Sequence, residues 1–510
     1  MHEIVTLQFG QQANYVGTHY WNTQESYFTY SGEDESPVDH DVSFRAGIGG
    51  DGQDTYTPRT LVYDIKGAFG TLRRENALYE LQHQDDPTTQ HAGSGWSSAA
   101  VPFRLPPIEQ NSYQRALDEG AQPPVLSPET VRFWSDYNHL FYHPRSIVQL
   151  NEYDLNSSLM PFEKFSTGED LFASLDREHG LLDRDLRPFL EECDQLQGLQ
   201  ILTGLDDAWG GFATKYLERI ADDMGKGCRW VFGLQDGQRV ARERMMLQLA
   251  NSAQAVHAIN ASASLHIPLT SLPAELPSYL NLDPSSKWHT SALQTAVMET
   301  ITLPARLCNS ETGHATFNDL EMPLSNDGKR CIAAASLSLN DPANLEKENE
   351  NTPHDSRMTN GNTNGFHANK FSQLDMALLP TFSIPSSRSG KPHAFSTISS
   401  IRGPWKLPSS PSTPSRYESH FGSHATSLLF PTLSSFPTIF QFSQPEPKKL
   451  AIQASLSTST IVAERIRGLE AAARRLTAVD EREALVDGLA TMAEEYEEGW
   501  SDGSEDEEDE

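Results

Sequence analysis

The chain has 510 residues, enough for two or three domains with a sizeable core. Its hydrophobic content of 37% is slightly low for a wholly folded chain, so part of the length is expected to stay outside any core. A formal charge of -31 argues against general nucleic-acid binding, because phosphate is repelled, and suits the docking of basic partners.

Residues 3–9, "EIVTLQF", alternate and are β-rich, which predicts a strand. Gly10 breaks it, and Val16, Tyr20 and Trp21 then recur at helical spacing. A strand, a Gly turn and a helix at the start suggest an α/β sheet. Residues 31–58 are polar and Gly/Asp-rich and read as a loop; "RTLVYDI" (59–65) reads as the next strand. Residues 84–128 carry many Gln, Pro, Ser and Gly and are loop-like, with room for short ordered pieces. Ser127, Pro128 and Glu129 are helix-start signals, so a helix is expected over 128–147, with Phe133, Trp134, Tyr137, Phe141 and Tyr142 as a core face. His139 and His143 stand four apart, but no carboxylate or third ligand accompanies them, so no metal site is expected.

Residues 168–198 read as helical with a break near Gly180. "LQILTGL" (199–205) and "CRWVFGL" (228–234) read as strands, with a helix over 211–224 between them. Helices are expected over 240–258 and 289–303, and a strand of a second domain over 330–339. Residues 340–370 are polar and Asn-rich, as in a disordered insertion. Residues 383–440 are crowded with Ser and Pro and read as irregular structure draped on the fold. Val462, Ile466, Leu469, Ala473 and Leu476 then step by four and three, a helical face, and a second helix is expected over 481–496. The terminal "EEYEEGWSDGSEDEEDE" holds no base and reads as a solvated tail. Four cysteines (Cys193, Cys228, Cys308, Cys331) form no C-x-x-C pair, which favours a reducing compartment. No apolar run approaches the roughly 18–20 residues of a membrane span. The opening "MHEIVTLQFGQQ" resembles neither a secretory signal nor a mitochondrial presequence, so the mature chain is expected to begin near Met1, in the cytosol.

Three blocks carry a family resemblance. Met1, Glu3, Ile4, Val5, Gln8, Gly10, Gln11, Asn14, Gly17 and Trp21 match the tubulin opening M-x-E-I-V-x-x-Q-x-G-Q-x-x-N-x-x-G-x-x-x-W. "YTPRTLVYDIKG" (56–67) resembles the tubulin Y-x-P-R-x-x-x-x-D-L-E-P-G segment, and "ECDQLQGLQ" (192–200) resembles the N-C-D-x-L-Q-G-F-Q that leads into the tubulin phosphate loop. Between them "VRFWSDYNHLFYHPRSI" (131–147) is similar to the Misato family of divergent tubulin-like proteins, and the Ser/Pro/Asn-rich insertions resemble its fungal branch. The resemblance covers residues 1–340 well and the remainder loosely. It implies an α/β, tubulin-like fold, with a Rossmann-like nucleotide-binding-type domain over 1–250. A second α/β domain over 251–458 would come next, interrupted by low-complexity segments 340–370 and 383–440. Helices over 459–496 and an acidic disordered tail over 497–510 would end the chain.

The same resemblance locates a nucleotide site and shows it rewritten. Tubulins rest phosphates on a G-G-G-T-G-S-G loop, where backbone N–H groups point inward and glycines admit a close approach. An ungapped reading from "LQG" places Asp206, Asp207, Ala208, Trp209, Gly210, Gly211 and Phe212 there, and only Gly210 keeps the family residue. Asp206 and Asp207 face the phosphate charges; like charges about 4 Å apart cost roughly 1 kcal/mol in water and several at a protein surface. Trp209 and Phe212 add bulk. One of the two aspartates at a helix N-terminus would accept N–H bonds and take over the phosphate's structural role. Gly10, Gln11 and Asn14 match the first loop, where tubulins contact nucleotide, while Gln12 and Ala13 replace the usual Cys and Gly. Lys66 stands where tubulins carry an acid near the metal and γ-phosphate. The N-A-D-L-R catalytic loop has no match; "FNDLEMPL" (317–324) shares little with it, and neither Asp319 nor Glu321 is given a role.

The expectation is therefore a non-catalytic protein without metal or cofactor, GTP binding surviving at most as a residue at Gly10, Gln11, Asn14 and Gly210. The Misato resemblance implies a role in partitioning and inheritance of mitochondria and mitochondrial DNA. It points to the cytoplasm and the cytosolic face of the mitochondrion. Protein partners are expected, among them cytosolic chaperonin, tubulin or mitochondrial-surface components, with no direct nucleic-acid binding and no membrane span. Two other readings compete: a GTP-binding, polymerising tubulin-like protein, and a chaperonin-associated cytoskeletal assembly factor.

Overall fold

The computed structural model describes residues 2–29, 36–48, 54–72, 108–225, 227–236, 240–308, 315–325, 328–340, 376–380, 393–403, 420–441, 449–477 and 479–497. The chain opens with strand β1 (Glu3–Phe9), buried throughout, and helix α1 (Gln11–Glu25). Next is a hairpin, β2 (Phe44–Ile48) against β3 (Asp54–Pro58), which leads into β4 (Thr60–Lys66). After α2 (Ser112–Asp118) come β5 (Ile147–Asp154), α3 (Phe165–His179), a π turn over Leu182–Leu186 and α4 (Arg187–Glu191). Then strands and helices alternate: β6 (Leu196–Gly204), α5 (Ala208–Met224), β7 (Cys228–Gln235), α6 (Arg242–Ser262), β8 (Leu265–Thr270) and α7 (Lys287–Thr302).

Six of these strands form one parallel sheet in the order β5-β4-β1-β6-β7-β8. The chain therefore runs outward from β1 in one direction, returns, and runs outward from β6 in the other. That reversal leaves a crevice between the ends of β1 and β6, the place where doubly wound sheets receive ligands. Register follows the side-chain pattern: Val5 sits opposite Leu199 and Thr6 opposite both Thr60 and Gln200. Ile4 packs on the face covered by α1 and α7, whereas Val5, Leu7 and Phe9 pack on the face covered by α3, α5 and α6. Both faces are dry, which is why the parallel strands read as nearly continuous apolar runs.

A second sheet comes after α8 (Phe317–Ser325). It is made of β9 (Ala334–Asn340), β10 (Met376–Ala377), β11 (Ala394–Arg402), β12 (His420–Thr426) and β14 (Lys449–Ser459), in the order β10-β9-β14-β11-β12, with the short β13 (Phe430–Pro431) pairing with β14. Helix α7 lies between the two sheets, buried from Thr290 to Thr302, and one apolar cluster runs from Leu202 of the first sheet through Leu293 to Ile452 of the second. Helices α9 (Thr460–Leu476) and α10 (Val479–Glu495) pack on α6 at the other face of the first sheet.

Several expectations from sequence are corrected here. The 128–147 helix is absent: short 3-10 turns occupy Trp134–Tyr137 and Pro144–Ser146, and β5 starts at Ile147. The Asp136 carboxylate accepts the N–H groups of Arg132 (2.8 Å) and Phe133 (3.1 Å), a local bond that competes with helix, and Pro144 bars a helix from running on into β5. Trp134, Tyr137 and Tyr142 are nonetheless core residues. The 31–58 loop contains the β2–β3 hairpin; the 84–128 segment, read as loop-like with room for short ordered pieces, holds one such piece in α2. The segment 383–440, read as irregular, contributes β11 and β12. Its serines alternate with isoleucines, so Ser396, Ile398 and Ser400 are buried, and serine hydroxyls bond across the sheet, Ser399 to Ser455 at 2.6 Å. The boundary drawn at 250 falls inside α6, and β8 beyond it completes the first sheet. Residues 341–375, within which most of the 340–370 insertion falls, and residues 498–510 of the acidic tail lie outside the described residues. Among the described residues no helix is long and apolar enough to cross a membrane.

Candidate functional site

The crevice at the end of β1 and β6 is where the rewritten loop lies. Strand β6 ends at Gly204, Asp206 and Asp207 turn the chain, and α5 begins at Ala208. Asp207 is the N-cap: its extended backbone (φ -133°) lets Oδ1 accept the Trp209 N–H at 2.9 Å. The carboxylate thus stands at the positive end of the helix, where a bound anion would otherwise be favoured. Asp206 turns the other way. Its Oδ2 accepts the Asp236 N–H (3.1 Å) and the Gln248 amide (3.3 Å), and its carbonyl accepts the Asn251 amide (3.0 Å).

Burial raises the cost of ionising both carboxylates. Burial, followed by repulsion from Asp207, pushes the Asp206 carboxyl up to about 8. Burial pushes Asp207 up to about 6, against the N–H bonds from Trp209 and Gly210 and the nearby Lys287 ammonium. They line a pocket of about 90 Å³ shared with Gln12, Glu163, Asp236, Arg244, Gln248 and Lys287. Pockets that take drug-sized or cofactor-sized ligands run to roughly 300–1,000 Å³.

Trp209 fills the remaining space beside the first loop. Its indole lies so close over Gly10 that a Cβ there would overlap the ring, and Gly10 has φ +87°. The ring also meets Phe162 edge-on at 5.2 Å and Phe212 at 5.6 Å. Phe212 points elsewhere than expected. It is fully buried among Phe9, Tyr63 and Phe172 beneath the sheet and adds no bulk to the pocket. Gly210 packs against the Gly204 carbonyl and Ala255, and a Cβ on Gly211 or Gly168 would run into the backbone of the partner helix where α3 crosses α5. Gly168, Gly210 and Gly211 therefore serve close packing of helix on helix and on the end of β6.

Across the crevice, the first-loop residues face inward as well. Asn14 is fully buried and donates to the Asp64 carboxylate (2.8 Å) and the Tyr63 carbonyl (3.2 Å). Burial raises Asp64 to about 7, with the Asn14 bond opposing. Gln11 opens α1 and is half-buried, while its neighbour Gln12 lines the pocket and bonds Gln294 of α7 at 2.9 Å. The sequence marks Gln12 only as a replacement of the family's Cys and is silent on Gln248 and Lys287, because nothing local marks side chains that reach one pocket from separate helices.

Comparison with known proteins gives this geometry a lineage. A model of the Misato segment II tubulin-like domain matches residues 2–119, and a tubulin-domain model matches residues 123–307. "Protein DML1" of Phaeosphaeria nodorum is 45% identical over the whole of both chains. "Protein dml1" of Aspergillus clavatus is 45% identical over 99% of each, and that of Schizosaccharomyces pombe is 31% identical over 65% of this chain and 71% of its own. The chain belongs to the fungal branch of the Misato family. The fold of this Misato protein is the expected tubulin-like α/β arrangement.

The other residues weighed from sequence lie outside the Misato pocket. Lys66 pairs with Asp154 at 3.1 Å at the surface end of β4. Asp319 caps α8 by accepting the Thr316 N–H (2.8 Å), and Glu321 accepts from Trp230 Nε1 (3.0 Å) and Ser264 Oγ (2.7 Å), near the start of β7 and β8, away from the crevice. His139 Nε2 bonds the Tyr113 hydroxyl (2.8 Å) and His143 Nδ1 accepts the Arg145 N–H (3.2 Å), two separate structural roles. Among the described residues no group of three His, Cys, Asp or Glu side chains is placed to hold a metal.

Proposed function

We propose that this protein is a non-catalytic member of its family that supports the partitioning and inheritance of mitochondria and mitochondrial DNA through protein contacts. It acts in the cytoplasm and on the cytosolic face of the organelle. The observation that carries the non-catalytic part is Asp207. A carboxylate of the chain itself sits on the helix N-terminus that would cradle phosphate, with Trp209 over Gly10 beside it. A polyphosphate entering there meets Asp206, Asp207, Glu163 and Asp236 around the same small pocket. The mitochondrial role rests on kinship with the Misato family.

Nucleotide content and GTP affinity of the purified full chain test the first part. The expected result is protein free of nucleotide and no saturable binding of GTP up to millimolar concentration; tight binding sinks the reading. Protease treatment of intact mitochondria tests the location, with digestion of the bound protein expected and protection counting against it.

A further inference from the structure

The pocket carries more carboxylates than bases, the opposite of a phosphate site. Four carboxylates (Glu163, Asp206, Asp207 and Asp236) line it against two bases, Arg244 and Lys287. Asp206 and Asp207 form the base of the pocket, while Glu163, Asp236 and Arg244 are exposed at its mouth. The connection from β5 to α3 is drawn across to this mouth: Phe162 packs on Trp209, and the Glu163 carbonyl accepts the Asn251 amide at 2.7 Å. That same connection exposes Leu159 (92%) and Met160 (55%), and Met245, next to pocket residue Arg244 on the first turn of α6, is 46% exposed. Scattered exposed apolar residues are ordinary, but Leu159 and Met160 shortly precede Glu163 and Met245 directly follows Arg244, so all three are chain neighbours of residues that line the pocket mouth.

We propose that this face docks a segment of a partner protein that inserts one lysine or arginine side chain into the pocket and lays its flanking apolar residues on Leu159, Met160 and Met245. Charge complementarity selects the inserted group. Asp206 is largely protonated at neutral pH, which leaves three carboxylates against Arg244 and Lys287; an ammonium or guanidinium balances that excess, and about 90 Å³ accepts one such head group. Apolar flanks supply the desolvated contact that makes such an anchor hold. The inference rests on the reading that nucleotide does not occupy this pocket.

The test uses the full chain and fluorescent nonapeptides with a central Arg, Lys, norleucine or Glu between Leu and Met flanks, followed by anisotropy. Arg- and Lys-centred peptides are expected to bind about tenfold or more tightly than the norleucine peptide, with affinity falling as salt rises. Glu163→Lys with Asp236→Lys is expected to abolish that preference. Leu159→Ser, Met160→Ser and Met245→Ser together should weaken binding about tenfold while the melting curve is unchanged, because all three side chains are solvent-exposed. Equal binding of all four peptides, or none by the Arg and Lys peptides, overturns the inference. So does methylguanidinium binding as tightly as the Arg peptide, which would make the occupant a small cation. GTP that displaces the Arg peptide overturns both this inference and the closed-site reading. A protein that ignores GTP and the peptides alike overturns the docking inference alone.

Discussion

Between the two sheets Glu299 meets Arg306, Arg402 and Tyr27; at the switch point Asp206 meets Asp207. In the first group, every charge has an opposite beside it. Arg402 Nη1 contacts Glu299 Oε2, Arg306 Nη2 lies 3.7 Å from Oε1, and the Tyr27 hydroxyl donates to Oε1 at 3.0 Å. Arg402 further donates to Tyr27 (2.7 Å) and to the Leu429 carbonyl (2.9 Å), so α1, α7 and β11 are stitched together at one point. In the second group, two like charges stand adjacent, relieved by backbone N–H bonds and by partial protonation. The first arrangement is what a fold needs to fix the approach of two sheets. The second is what the proposed closure of a ligand site from within would leave. Removing a partner should therefore have opposite consequences in the two places.

The largest effect is expected between the sheets. Glu299→Ala leaves Arg306 and Arg402 buried without their shared carboxylate, and breaking a buried ion pair costs about 3–5 kcal/mol. Urea denaturation should show this as a lower midpoint with little change in slope; a loss under about 1 kcal/mol would mean that the cluster is hydrated and the contrast with the aspartate pair is false.

Next comes Gly10→Ala, expected to cost about 3 kcal/mol from the positive φ and the overlap with the Trp209 ring. Trp209→Ala should recover part of that loss, with a coupling of about 1 kcal/mol or more in a double-mutant cycle. No coupling would show that the indole does not cover the first loop. Opening the space in this way should not restore GTP binding, because Asp206 and Asp207 remain.

The elements nearest the switch point were legible from residue pattern, and the reason is physical. Strands β1, β6 and β7 are buried on both faces and concentrate aliphatic and aromatic residues in short stretches, and α5 comes directly after a capping aspartate. Strand β11 hid because its inward positions alternate serine with isoleucine, and β14 because Gln453, Ser455 and Ser457 alternate with its inward Ile452, Ala454 and Leu456, compositions that imitate a linker. Within the site, the Asp207 cap could be read locally, since a cap bonds two residues ahead. The partners of Asp206 could not: Gln248 lies 42 positions away and Asn251 45. Phe212 was legible as bulk but not as direction, because one helical step decides whether a side chain meets the crevice or the core beneath the sheet.

The smallest effect is the most diagnostic of the aspartate pair. Both carboxyls have folded-state values above that of an unfolded aspartate, near 3.8. Such groups bind protons better in the folded chain, so their contribution to stability is fully present below about pH 4 and is lost as pH rises through about 6 for Asp207 and about 8 for Asp206. The melting temperature should accordingly carry a component that declines between about pH 4 and pH 8, the part above pH 6 belonging to Asp206 alone. Asp206→Asn keeps a carbonyl oxygen to accept the Asp236 N–H and removes the charge, so it should flatten that decline and stabilise the protein by about 1 kcal/mol at pH 8. Asp207→Asn should give less, because a neutral cap gives up the charge–dipole attraction at the start of α5 that the carboxylate supplied. Equal loss of stability in both variants, with the pH component intact, would mean that the pair is held as tightly as the Glu299 cluster and that the pocket is not a vacated ligand site.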